Sequence, residues 1–225
     1  MKFLSLFLRA PLQSWGVSAK FGERTSLSFP TRSGIIGILA AASGIDRSDS
    51  AWLNKVKDLS LRVLIFTPGQ RLTDYHTVGG GYTIKNSRSR RHISPKAEGG
   101  TPKTVLTTRE YLQDAVFGAI IGGEDHVLLD ALAAAIQNPV WGIWLGRKSC
   151  IPTEPLFAGV FSDIGDAEAA LLARAEATTA YVQENLIHKI ILEVPADEGE
   201  EVWHDIPLNF ATRTFAARTI RQETT

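Results

Sequence analysis

The chain has 225 residues, 44% of them hydrophobic, with 24 Lys and Arg balanced by 24 Asp and Glu. That supports one or two packed domains and excludes a disordered or collagen-like chain; no apolar run reaches the roughly 18–20 residues that span a bilayer. The single cysteine, Cys150, excludes an intrachain disulfide and a cysteine-based zinc site.

Residues 2–9 form an almost continuous apolar run that predicts a buried strand. Arg9 interrupts the run and no small-residue cleavage pattern follows, so a secretion leader is not expected and the compartment is expected to be the cytoplasm. Residues 1–32 carry a net charge of +4. Pro30-Thr31-Arg32-Ser33 then breaks the chain, and Thr31 or Ser33 is expected to cap a helix carrying Ile35, Ile36, Ile38 and Leu39 that ends at Gly44. A second short helix is predicted from Asp49 to Leu59, with Trp52, Leu53, Val56 and Leu59 at helical spacing. A strand is predicted from Leu61 to Phe66, stopped by Pro68-Gly69.

Residues 79–104 contain Gly79-Gly80-Gly81, Gly99-Gly100 and two prolines, with almost no apolar periodicity. Such a stretch cannot belong to a core; it is disordered, an extended hairpin or a functional loop. Its cations and Arg109 give residues 82–109 a net +6, local basic surface for a polyanion on a neutral molecule. A strand over Ala115–Ile121 and an amphipathic helix over Glu124–Ile136 follow, the helix ended by Asn138-Pro139. Trp141–Leu145 is predicted as the next strand. The order strand, helix, strand, insertion, strand, helix, strand is βαββαβ, an α+β, ferredoxin-like (RRM-type) domain over residues 1–150. Residues 151–225 are expected to form a β-rich C-terminal extension packed on it, with strands near 157–161, 187–194 and 210–220 and an Ala-rich helix near 166–176. Residues 163–201 carry a net −8.

No HExxH, GxSxG, Walker or GxGxxG pattern occurs, and His76, His92, His126, His188 and His204 lack the close pairing of metal ligands, so no metal or cofactor is expected. Asp74-Tyr75-His76-Thr77 is the one local cluster with acid–base potential. Tyr75 and His76 have the chemistry to activate a ribose 2′-hydroxyl, and the plainer alternative is a hydrogen-bonded His76 at a strand end. In Leu145-Gly146-Arg147-Lys148-Ser149-Cys150, a glycine turn presents two cations and a hydroxyl suited to phosphate oxygens. In Pro11-Leu12-Gln13-Ser14-Trp15-Gly16 an amide stands beside an aromatic that either stacks on a base or packs in the core.

Together with Phe29-Pro30-Thr31-Arg32-Ser33-Gly34 and Thr108-Arg109-Glu110-Tyr111-Leu112-Gln113-Asp114-Ala115, those three segments resemble, in chain order, the CasD family of the type I-E CRISPR Cascade complex, within the RAMP superfamily. Phe210-Ala211-Thr212-Arg213 extends the resemblance into the tail. It implies a non-catalytic subunit of an RNA-guided surveillance complex in antiviral defence. Such a subunit holds the 5′ handle of the crRNA and caps the backbone filament. It meets the neighbouring backbone subunit and the large subunit, and target DNA only through the complex. No cofactor, no membrane and no homo-oligomer is implied. The 79–104 insertion falls where this family keeps a long β-hairpin thumb. The residues expected at the RNA are Gln13, Trp15, Arg24, Arg32, Ser33, Tyr75, His76, Lys85, Arg88, Arg90, Arg91, Arg109, Arg147, Lys148 and Ser149. Arg24, Arg32, Arg109, Arg147 and Lys148 suit phosphates and Trp15, Tyr75, His76 and Tyr111 suit stacking, while the helix starting near Ser33 would aim N–H groups at a phosphate. Trp15 and Tyr111 are the aromatics with the strongest core alternative.

A metal-independent crRNA-processing endoribonuclease is the alternative, requiring His76 or Tyr75 beside a lysine such as Lys85; the type I-E motifs argue against it. A generic RRM-like RNA binder fails on the absence of an RNP-type aromatic motif.

Overall fold

Strand β1 (Lys2–Arg9) buries six consecutive residues because it lies between two layers of helix. The chain then makes three short strands, β2 (Leu12–Gln13), β3 (Ala19–Lys20) and β4 (Glu23–Arg24), before helix α1 (Arg32–Ala42) and the shorter α2 (Ser50–Val56). Thr31 caps α1, its hydroxyl accepting from the Gly34 N–H at 3.1 Å, and Asp49 caps α2 by accepting from the Trp52 N–H at 2.9 Å. Strand β5 (Ser60–Thr67) leads into β6 (Gln70–Val78), and β7 (Val105–Gln113) leads into β8 (Val116–Gly123). Helix α3 (His126–Gln137), strand β9 (Phe157–Phe161), helix α4 (Ile164–Thr178) and strands β10 (Lys189–Val194), β11 (Glu201–Asn209) and β12 (Thr214–Glu223) complete the chain. This computed structural model describes residues 1–16, 19–20, 22–78, 105–178, 187 and 189–224; the expected thumb, with Lys85, Arg88, Arg90 and Arg91, lies outside them.

The protein is mixed α+β. Its main sheet has the order β11-β12-β10-β5-β8-β1-β9, antiparallel at every pair. Alternation along β1 sends Leu4, Leu6 and Leu8 into a core with Ile35 and Leu39 of α1 and Leu129 and Leu132 of α3, and sends Phe3 and Phe7 into a second core with Leu171 and Ala175 of α4. The result is helix, sheet, helix. A second sheet has the order β2-β7-β4-β3, with β6 on the far side of β7.

The chain passes from one sheet to the other at two bends. Gly69, between β5 and β6, has φ +73°, and a Cβ there would lie 2.6 Å from the Gln113 carbonyl oxygen. Asp114, between β7 and β8, also has positive φ. The central hairpin of the main sheet therefore continues, bent, as the β6–β7 hairpin of the second.

One expected strand is corrected. Trp141–Leu145 is irregular because its N–H groups go elsewhere: Trp141 donates to the Ala41 carbonyl at 3.2 Å, next to Val140 donating to Ala42 at 2.9 Å at the end of α1, and Leu145 donates to the Cys150 carbonyl at 2.8 Å. The place beside β1 is taken by β9. Among the described residues no helix is long and apolar enough to cross a membrane.

Candidate nucleic-acid interface

Strand β7 is the spine of the second sheet, and its pairing gathers residues that the sequence scatters. Arg109 stands opposite Asp74 of β6 and beside Arg24 of the parallel strand β4, while Thr107 stands opposite His76. Paired residues share a face and successive residues alternate, so Arg24, Asp74, His76, Thr107, Arg109 and Tyr111 lie on one face, and Tyr75, Thr108 and Glu110 on the other. Arg24 is exposed, and Arg109 is half-buried with its Nε donating to the Thr107 hydroxyl at 3.1 Å. Two arginines in register repel each other; a phosphate oxygen between them converts that repulsion into charge-assisted hydrogen bonds. His76 Nδ1 on the same face is buried without a hydrogen-bond partner. His76 lies within β6, not at a strand end. Tyr75 projects from the opposite face, 66% exposed.

The opposite face is tied down by Glu110. Its carboxylate accepts from the Ser26 N–H at 3.1 Å and from Arg71 at 2.5 Å, and Arg71 also donates to the Ser26 carbonyl at 2.9 Å. Sequence reasoning did not single out Arg71 or Ser26, since neither carries a local motif.

The loop of residues 145–150 was expected to clamp phosphate with Arg147, and this is corrected. Strand β2 covers the edge of β7 at Leu112 and Gln113, and β4 covers it at Thr108 and Arg109. Arg147 fills the gap between them, donating to the Glu110 carbonyl and to the Arg24 carbonyl, both at 2.7 Å. Its guanidinium lies over the Tyr111 ring, 4.6 Å from the centroid. Arg147 is thus a bracket in the sheet. Lys148 and Ser149 are exposed beside it, with the Lys148 ammonium 5.7 Å from the Trp144 ring centroid.

Three further expectations are corrected by burial. Gln13 is fully buried, its Nε2 donating to the Leu8 carbonyl at 3.1 Å and the Ala115 carbonyl at 2.7 Å, while its Oε1 accepts from the Trp15 indole at 3.2 Å. Trp15 is core, as its alternative reading held. Arg32 is 3% exposed and donates to Glu193 at 2.5 Å and to the carbonyls of Lys57 and Leu59 at 2.8 and 2.6 Å. The N-terminus of α1 does hold an anion, but it is Asp205, which accepts from the Arg32 N–H at 2.7 Å. Ser33, half-buried, donates to the Thr31 hydroxyl at 3.3 Å, so no phosphate is placed there. Asp205 had no signal in the sequence. Arg218, donating to Asp205 at 2.5 and 2.9 Å and to Glu193 at 2.9 Å, completes the cluster.

Burial also pushes the Cys150 thiol above its ordinary range. The native protein should therefore react with a thiol-specific reagent orders of magnitude more slowly than the denatured chain; comparable rates would contradict the packing of this loop.

The chain matches over residues 3–221 the family model described as CRISPR-associated protein (Cas_Cas5). The CRISPR system Cascade subunit CasD of Escherichia coli (strain K12) is 33% identical to it over 182 residues, which cover 76% of this chain and 75% of that one. A chain of a solved CRISPR RNA-guided surveillance complex superposes with a TM-score of 0.76 at 32% identity, covering 99% of this chain and 90% of its own. A crystal structure of a Cas protein follows at 0.64 and 27% identity, covering 99% and 94%.

Proposed function

The chain belongs to the Cas5 family of CRISPR-associated proteins, and from that membership we propose a non-catalytic, crRNA-binding subunit of a type I-E Cascade complex that holds the 5′ handle of the guide for RNA-guided DNA recognition. The observation that carries the reading is the shared face of Arg24, His76 and Arg109, in a chain that follows a surveillance-complex chain over 99% of its length.

A handle of fixed sequence is held by clamping phosphates and reading a few base edges. Arg24 and Arg109 take phosphate oxygens, the half-buried His76 ring lies beside them on the same face, and Tyr75 offers a stacking ring from the other face. Lys148 and Ser149 add exposed donors. The partners are the crRNA, the neighbouring backbone subunit and the large subunit, with target DNA met through the assembled complex in the cytoplasm. The order β5-β8-β1-β9, with α1 and α3 on one face, supports a ferredoxin-like core completed by β9, on which β10 to β12 widen the sheet as the C-terminal extension. Tyr75 and His76 leave β6 on opposite faces, which separates the two groups an endoribonuclease would bring to one phosphate.

The test is a titration of the full chain with its repeat-derived handle RNA at several salt concentrations. Arg24→Ala and Arg109→Ala should each flatten the slope of log affinity on log salt by about 0.7. Slopes equal to wild type would remove both residues from the interface. Repeat RNA incubated with the protein in EDTA should stay intact; specific cleavage lost in His76→Ala would replace this reading with the nuclease.

A further inference from the structure

We propose that Arg147 is the positioning residue of this interface: it makes no contact with RNA and acts by holding Arg24 in register with Arg109. The inference rests on the RNA-binding reading above.

Strand β4 is two residues long and pairs with β7 at Glu23–Thr108 and Arg24–Arg109, flanked by the Gly22 carbonyl, which accepts from the Thr108 N–H at 2.7 Å, and the Ser26 N–H, which donates to Glu110 at 3.1 Å. So short a pairing does not fix an exposed strand by itself. The Arg147 guanidinium adds the side-chain constraint at the Arg24 carbonyl itself. One arm donates to the Glu110 carbonyl on β7 and the other to the Arg24 carbonyl on β4, so a single planar group spans both strands. The Tyr111 ring beneath it, 5% exposed, fixes the plane. The loop behind it is anchored too, because the Ser14 N–H donates to the Leu145 carbonyl at 3.0 Å. Without the bracket the charge of Arg24 remains, but its distance from Arg109 is no longer set, and two phosphate contacts of fixed spacing become one.

The experiment is a double-mutant cycle on handle-RNA affinity with the full chain. Arg24→Ala and Arg147→Ala alone should each weaken binding about tenfold. Together they should weaken it about tenfold in total and not a hundredfold, because the second change removes a constraint on a side chain already gone. Arg147→Lys keeps the charge but cannot bridge two carbonyls while lying on the ring, so it should behave as Arg147→Ala. Lys148→Ala is the contrast, its loss adding to that of Arg24→Ala. Wild-type affinity in Arg147→Lys, or losses that multiply in the cycle, overturn the proposal and make Arg147 a direct phosphate contact. Should Arg147→Ala prove too unstable to assay, Tyr111→Leu removes the ring that fixes the guanidinium plane, loosens both hydrogen bonds and should show the same sub-additivity with Arg24→Ala; multiplied losses there overturn it equally. Wild-type protein that binds the handle no better than an unrelated RNA of equal length overturns the RNA reading itself, and this proposal with it.

Discussion

Asp205→Ala is expected to destabilise the folded chain by about 3–5 kcal/mol, read as a fall of about 1 M or more in the urea midpoint. Asp205 is 2% exposed and serves three donors: the Arg32 N–H at the start of α1 and two nitrogens of Arg218. Glu193 is the remaining acid of the cluster and already receives both Arg32 and Arg218. With Asp205 gone, two buried guanidiniums share one carboxylate and the first N–H of α1 is left without an acceptor. An uncompensated charge in that position costs more than the pair contributes when intact. The same cluster joins α1 to β10, β11 and β12, so its disruption should loosen the C-terminal strands from the core. Asp205→Asn, which keeps an acceptor for the helix N-terminus but not the charge, should fall between the two. An unchanged midpoint in Asp205→Ala would mean that the cluster carries no net stabilisation.

The parts of this fold that sequence reasoning reached are those whose signal is local. The run over residues 2–9 and the cap at Thr31 announce their elements because the apolar spacing and the capping hydrogen bond lie within a few residues. The segment Trp141–Leu145 misleads for the opposite reason. Its composition suits a strand, but the Trp141 N–H is claimed by the Ala41 carbonyl of α1 and the Leu145 N–H by the Cys150 carbonyl, a competition visible only in three dimensions. Strand β11 was not expected at all, since its pattern is inverted: Val202 and Leu208 face solvent at 62% and 42% exposure while Asp205 is buried. A charge satisfied by partners far along the chain cannot be told from a solvated one.

The interface divides along the same line. Arg24, Arg109 and His76 were singled out by residue type, but their shared face follows from a register between strands remote in sequence. Gln13, Trp15 and Arg32 have equally suitable chemistry and are spent inside the molecule. Arg147 stands out in the sequence as a cation on a glycine turn. Whether it meets phosphate or carbonyl oxygens is decided by the gap between β2 and β4, which no local pattern encodes.

Gly146→Ala should cost about 3 kcal/mol or more, by a mechanism that also reaches the proposed RNA face. Gly146 has φ +100°, outside the range of ordinary L residues, and a Cβ there would lie 1.8 Å from the Ser14 carbonyl oxygen. Ser14 cannot retreat: its hydroxyl donates to the Glu110 carbonyl at 3.2 Å, and its neighbours Gln13 and Trp15 are locked in the core. The loop must therefore move, and it carries Arg147 away from the Glu110 and Arg24 carbonyls. That separates the two largest effects experimentally. Where both variants remain folded, Asp205→Ala should bind handle RNA with the wild-type salt dependence, because its cluster lies apart from β4 and β7. Gly146→Ala should bind more weakly with a slope flatter by about 0.7, since on the proposed reading Arg24 is then no longer held where a phosphate would meet it. A Gly146→Ala protein as stable as wild type, or one that keeps the wild-type slope despite its reduced stability, would break the link between the glycine turn and the cation pair it holds in place.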